Sequence, residues 1–215
     1  MKKSLKEKLV KIMKKRQTKD DPSHDFQHIL RVTNVAEKIA KKEKADLDIV
    51  IAAALFHDIV VYRKDSPNSK NETEESAQLA IRILKRIKEY PKEKIENVAT
   101  CIRQCSFSKG IIPELLESKI LQDADRLEAT GSISIMRTFS SGGQMNRHFY
   151  DEQDPFREKN SRFGMTGIDL FYMRLLVVEK RMYTKQAKEI AKRRTKFLKN
   201  FLAELKKELK ESNII

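Results

Sequence analysis

The stretch Ile49-Val50-Ile51-Ala52-Ala53-Ala54-Leu55-Phe56-His57-Asp58 governs the reading of the whole chain. Eight apolar residues in a row leave a helix no polar face, so it has to lie inside the protein, and it ends on an imidazole and a carboxylate. A carboxylate held at or near a core is costly unless it is paired or coordinates a metal. The His57-Asp58 pair therefore calls for a partner, and a cation is the obvious one. Upstream, in His24-Asp25-Phe26-Gln27-His28-Ile29-Leu30-Arg31-Val32, His28 shares helical spacing with Val32, Val35 and Ile39 and so points inward. Downstream, in Ile120-Leu121-Gln122-Asp123-Ala124-Asp125-Arg126-Leu127, the apolar residues Leu121, Ala124 and Leu127 recur at helical intervals, and Asp125 falls close to their face. Together His28, His57, Asp58 and Asp125 offer two imidazoles and two carboxylates from three separate helices. That donor mix suits manganese, iron, nickel, cobalt or zinc, with water in any open position, and magnesium also stands among the candidates. On its own, His57 could equally be a core histidine bonded to a backbone carbonyl, with Asp58 capping the next element.

Helical spacing dominates the chain and strand alternation is nearly absent, so the expected fold is all-α. Helices are expected at about 5–16, 26–42, 47–58, 73–88, 92–105, 113–130, 166–181 and 185–209. Asp25 or Ser23 can cap the second of these. Pro91 and Pro113 suit first-turn positions, and Asn71-Glu72-Thr73-Glu74 opens its helix with acids at the positive end of the dipole. The polar run from Val60 to Lys70, directly after the His-Asp pair, is expected to be a loop over the metal and a substrate gate. The stretch from Gly142 to Gly167 reads as one long loop, with Gly142-Gly143 as a turn. It is not a phosphate-binding loop, because no Gly-Lys-Ser/Thr follows.

At these residues the chain resembles the HD superfamily of metal-dependent phosphohydrolases. The resemblance is closest to its small bacterial and archaeal hydrolases, some of which are nucleoside triphosphate pyrophosphohydrolases. It rests on His24-Asp25-x-x-His28, Ala54-Leu55-Phe56-His57-Asp58-Ile59, Leu121-Gln122-Asp123-Ala124-Asp125-Arg126-Leu127-Glu128, Arg137-Thr138-Phe139 with Gly142-Gly143, Met182-x-Thr184 and Ile190-Ala191-x-Arg193. It covers roughly residues 20 to 210. The resemblance implies a single-domain helical bundle over 1–215, with a core at about 20–130 and a helical extension at about 166–210. It also implies hydrolysis of a small phosphorylated compound, most plausibly a nucleotide, by water activated on a divalent ion. Two departures stand out: Gln104-Cys105 and Leu170 occupy places where family members often carry histidine.

Within that frame His28, His57, Asp58 and Asp125 are the expected metal ligands, and Asp58 is also expected to orient or deprotonate water. His24 and Arg31 lie about one turn either side of His28. His24 is a candidate acid for the leaving group, and Arg31 a candidate phosphate ligand. Arg126 and Arg137 are further substrate-binding candidates, though Arg126 could instead pair with Asp123 or Glu128. Phe139, Phe149, Phe163 and Phe171 could stack on a base, but such residues are more often core. Ser140 and Ser141 lack the setting of a serine nucleophile.

The two cysteines, Cys101 and Cys105, are too few for a disulfide scaffold and read as small buried residues. No apolar run is long enough to cross a membrane, and the charged start lacks a signal peptide's apolar region, so a cytoplasmic location without membrane contact is expected. The net charge of +14 is concentrated at the ends. Residues 1–16 carry eight basic and one acidic residue, residues 174–215 carry thirteen and five, and the remainder is nearly balanced. Those ends could attract nucleic acid by counterion release, yet a Lys- and Glu-rich helical surface also fits a thermophile. An alternative to the enzyme is therefore a catalytically weakened ligand- or nucleic-acid-binding module. A second alternative is a phosphodiesterase.

Overall fold

The computed structural model describes residues 1–16, 25–62, 66–106, 110–159 and 164–214. It is all-α, as the spacing predicts, and no strand occurs among the described residues. The helices are α1 (Lys3–Arg16), α2 (Phe26–Glu43), α3 (Leu47–Phe56), α4 (Glu72–Lys85), α5 (Ile95–Arg103), α6 (Leu116–Arg126), α7 (Ser132–Gln144), α8 (Gly167–Leu170) and α9 (Lys185–Glu211). Short 3-10 turns add to these at Pro67–Asn71, Lys92–Lys94, Leu127–Ala129 and Val178–Arg181. Two compact units result, Met1–Asp125 and Arg126–Ile215, and their boundary lies close to the end of the expected core.

In the first unit α3 is the central element. Every residue from Ile49 to Phe56 is buried, and α3 packs against α1, α2 and α5, while α4 lies on α5. Each large apolar side chain so enclosed contributes about 1.5–3 kcal/mol relative to exposure, which makes this run the energetic centre of the unit. Its start is fixed by Asp46, whose carboxylate accepts from the Asp48 and Ile49 amides. Lys94 binds both Asp46 and Asp48 at 2.7 Å and ties the start of α5 to the start of α3. Cys101 and Cys105 are both buried and neither forms a disulfide.

In the second unit Phe156, Ile168, Phe171, Leu175, Leu198, Leu202 and Leu209 form the core beneath α9. Phe171 lies in that core and stacks on Phe201 with ring centroids 5.6 Å apart. Phe163 lies outside the described residues.

Three expectations need correction. Gly142-Gly143 is not a turn but sits inside α7, near its end. That helix buries Ser134, Thr138 and Gly142, a stripe of small residues spaced by four that offers no apolar periodicity to detect. The helix expected over 166–181 is broken after Leu170, where Phe171–Leu175 takes a π turn with the Leu176 amide donating to the Phe171 carbonyl at 2.9 Å. The wider turn brings Phe171 and Leu175 together into the core. Pro113 stands three residues ahead of α6 instead of in its first turn. The start of the expected gate is held to α4: Ser76 hydrogen-bonds the Val60 backbone, and Glu72 and Glu75 accept from the Tyr62 amide and hydroxyl. Residues 63–65 lie outside the described residues. No helix among the described residues is long and apolar enough to cross a membrane.

Candidate metal centre

The four acid and imidazole groups singled out in the sequence come together in the first unit. Asp25 caps α2 by accepting from the His28 amide at 2.7 Å, which fixes the turn from which the His28 ring projects. α3 ends at Phe56 with His57 as its C-cap, so His57 and Asp58 leave the buried helix where the chain turns outward. α6 supplies Asp125 beside its buried residues Leu121 and Ala124. Nε2 of His28 lies 3.6 Å from a carboxylate oxygen of Asp58 and 3.6 Å from one of Asp125. Nε2 of His57 lies 3.4 Å from Asp58 and 4.0 Å from Asp125. The ligand atoms of His28, His57 and Asp125 all lie within 4.8 Å of one another. Four atoms bound to one ion at about 2.1 Å in a tetrahedron would stand about 3.4 Å apart, so the separations fit a shared divalent ion in a slightly more open shell.

The orientation of His57 supports the same reading. Its Nδ1–H donates to the Ala54 carbonyl at 2.8 Å, one turn back on α3. That bond places the ring's lone pair on Nε2, which is buried and makes no hydrogen bond. A buried acceptor aimed at two carboxylates is poorly matched unless a cation lies between them. Burial is uneven: the imidazole side chains are 1% exposed, but Asp58 is 25% and Asp125 37% exposed. Solvent therefore reaches the centre from the carboxylate side.

The other predicted site residues are distributed differently. His24 lies outside the described residues. Arg31 is half-buried on α2, three residues beyond His28 and hence on a neighbouring side of the helix. Arg126 is buried; it donates to the Arg181 carbonyl and sits over the Tyr183 ring, 5.4 Å from its centroid. Arg137 stands 4.0 Å from the buried carboxylate of Glu128. The Ala54 carbonyl is the one member of the centre that residue types could not reveal, because it belongs to the main chain. The Glu128 and Arg137 pair was missed too, since a break in helical phase at Gly131 separates the two.

A profile of the HD domain matches residues 25–130, and YpgQ of Bacillus subtilis is 32% identical over 197 residues, which cover 89% of this chain and 87% of that protein. The chain belongs to the HD superfamily. Solved structures agree along nearly the whole length. YpgQ in complex with ADP matches with a TM-score of 0.72 at 28% identity, covering 95% of each chain. The Lin1889 protein of Listeria innocua matches at 0.70 and 35% identity, covering 95% of this chain and 97% of that one. An HD-superfamily hydrolase of Bacillus thuringiensis matches at 0.74 and 28% identity, covering 98% and 99%.

Proposed function

We propose that this protein is a metal-dependent phosphohydrolase acting on a nucleotide or a closely related small phosphorylated compound. The observation that carries the reading is the convergence of His28, His57, Asp58 and Asp125, with an oriented, buried Nε2 on His57. The nucleotide class is supported by the ADP bound to the YpgQ structure. His28, His57, Asp58 and Asp125 would hold the ion. A bound divalent ion supplies a Lewis acid that activates water at neutral pH and polarises a phosphoryl oxygen.

The chain's own groups supply the rest. Asp58 has two oxygens and partial exposure, so one can hold the ion while the other takes a proton from the attacking water. Arg31 lies near enough in sequence and helical phase to His28 to neutralise charge on a phosphate that enters from the exposed side. Arg137, already beside Glu128, is a second cation for substrate. Arg126 would have to leave the Arg181 carbonyl and the Tyr183 ring to do the same, so the larger effect is assigned to Arg31. His24 is the proposed acid for the leaving group.

The test is to purify the protein without added metal, analyse it for bound ions, and assay nucleotides and phosphomonoesters with manganese for wild type beside Asp58→Ala. Metal-stimulated hydrolysis lost by at least about 100-fold in the variant is expected, and product analysis tells which phosphate bond is cut. Equal turnover by both proteins would remove Asp58 from the mechanism. Bound metal with no turnover on any substrate would move the protein to the ligand-binding alternative.

A further inference from the structure

The sequence places its surplus of positive charge on both ends, and the structure tells the ends apart. On α1, Lys6 pairs with Glu37 and Lys8 with Glu89, and Glu7 stands on the same side of the helix as Lys3, Lys11 and Lys14. On α9 the pattern is different. At about 100° per residue, Lys185, Lys188, Lys192, Lys196 and Lys199 fall within an arc of about 80° and run about 21 Å along the axis. All five are exposed, while Ala187, Ala191 and Leu198 face inward and are buried. Among the described residues none of the five belongs to an ion pair. Lysines further along the same helix do, Lys206 with Glu158 and Lys207 with Glu204. Glu189, the only acid between residues 185 and 203, lies about 20° beyond one edge of the row, and exposed Arg193 adds a further cation about 40° past it.

We propose that this lysine row docks double-stranded nucleic acid through its phosphates, without reading sequence. Five like charges at axial steps of about 4.5–6 Å repel one another in the absence of a matching polyanion, and a duplex presents one negative charge per about 1.7 Å of its length. An anionic membrane fits less well, because an interfacial helix needs a free apolar side next to its basic one. The apolar side of α9, with Leu198, Leu202 and Leu209, is used up in the core of its own unit. Single strands fit less well too, because they are held by aromatic platforms within the basic track. The exposed ring of Phe197 is about 100° around the helix from the nearest member of the row.

The experiment is fluorescence anisotropy of the full-length protein with a labelled duplex of about 20 base pairs and arbitrary sequence, at about 50 and about 100 mM salt. Five phosphate contacts give a slope of about −4.5, so doubling the salt weakens binding about 20-fold. Replacing Lys188, Lys192 and Lys196 together by Gln reduces that ratio to about 4-fold and weakens binding at the lower salt. Replacing Lys3, Lys11 and Lys14 leaves both readings close to wild type. Melting temperatures recorded alongside check folding, and Lys192→Gln alone, which lowers the slope by about one, replaces the triple variant if that proves unstable. Absence of binding at the lower salt would overturn the proposal and leave the row as a solvated surface. Equal losses from the α1 and α9 variants would overturn the placement, and binding to phosphatidylserine vesicles but not to duplex would overturn the partner.

Discussion

Asp169 is 1% exposed and keeps its charge because Arg157 grips both of its oxygens, through Nε at 2.7 Å and Nη2 at 2.9 Å. Burial pushes this carboxyl up, but Arg157 and the Thr166 hydroxyl and amide outweigh it and hold the group below the usual carboxylate range. A carboxylate depressed in the folded state contributes its stability in full above the unfolded value of about 3.9, and that contribution is lost as pH falls through the depressed value. Asp169→Asn would leave the guanidinium of Arg157 enclosed without its main counter-charge, and about 3 kcal/mol of stability should disappear at pH 7, measurable by urea unfolding. Below about pH 4 the gap between wild type and variant should narrow. Cys101 offers an independent check on the first unit. Burial pushes its thiol up to about 12, so at pH 8 it should react with a thiol reagent only at the rate at which the native structure opens, and rapidly once denaturant is added.

At the scale of elements, α7 marks where the sequence stopped being informative. α2, α3 and α9 were legible because each carries an apolar stripe or run; Asp25 also marked the start of α2, whereas the caps Asp46 and Thr184 of the other two came to light only in the structure. α7 buries Ser134, Thr138 and Gly142 instead, and carries two glycines that look like a break. The structure separates glycines that matter from glycines that do not. Gly131, the N-cap of α7, has φ of 87°, and a Cβ there would meet the Arg194 side chain at 3.1 Å. Gly143 has open space around it and ordinary helical backbone. Gly131→Ala should therefore cost about 1–3 kcal/mol, whereas Gly143→Ala should add up to about 1 kcal/mol by stiffening the unfolded chain and favouring the helix. Thermal melts of the two variants should move in opposite directions. The break after Leu170 was equally illegible, since a π turn changes helical phase without any marker residue.

Across the molecule, ion binding should appear as stability. A ligand that binds only the folded state stabilises by about 2.7 kcal/mol at one hundred times its dissociation constant. Manganese should raise the melting temperature of wild type, a chelator should reverse the gain, and neither should affect Asp58→Ala. The candidate centre was largely legible from the sequence because its side chains are chemically expensive to bury and so stand out against the apolar run of α3. The fate of the arginines was not, because contacts such as Arg126 with the Arg181 carbonyl join positions with no local relation. The Ala54 carbonyl that aims His57 has a broader consequence. A scan that replaces every side chain in turn would leave that group in place at each step, because a peptide oxygen survives all such exchanges. Its role would surface only through chemistry on the main chain itself, such as an ester in place of an amide, or by distorting the turn that presents it.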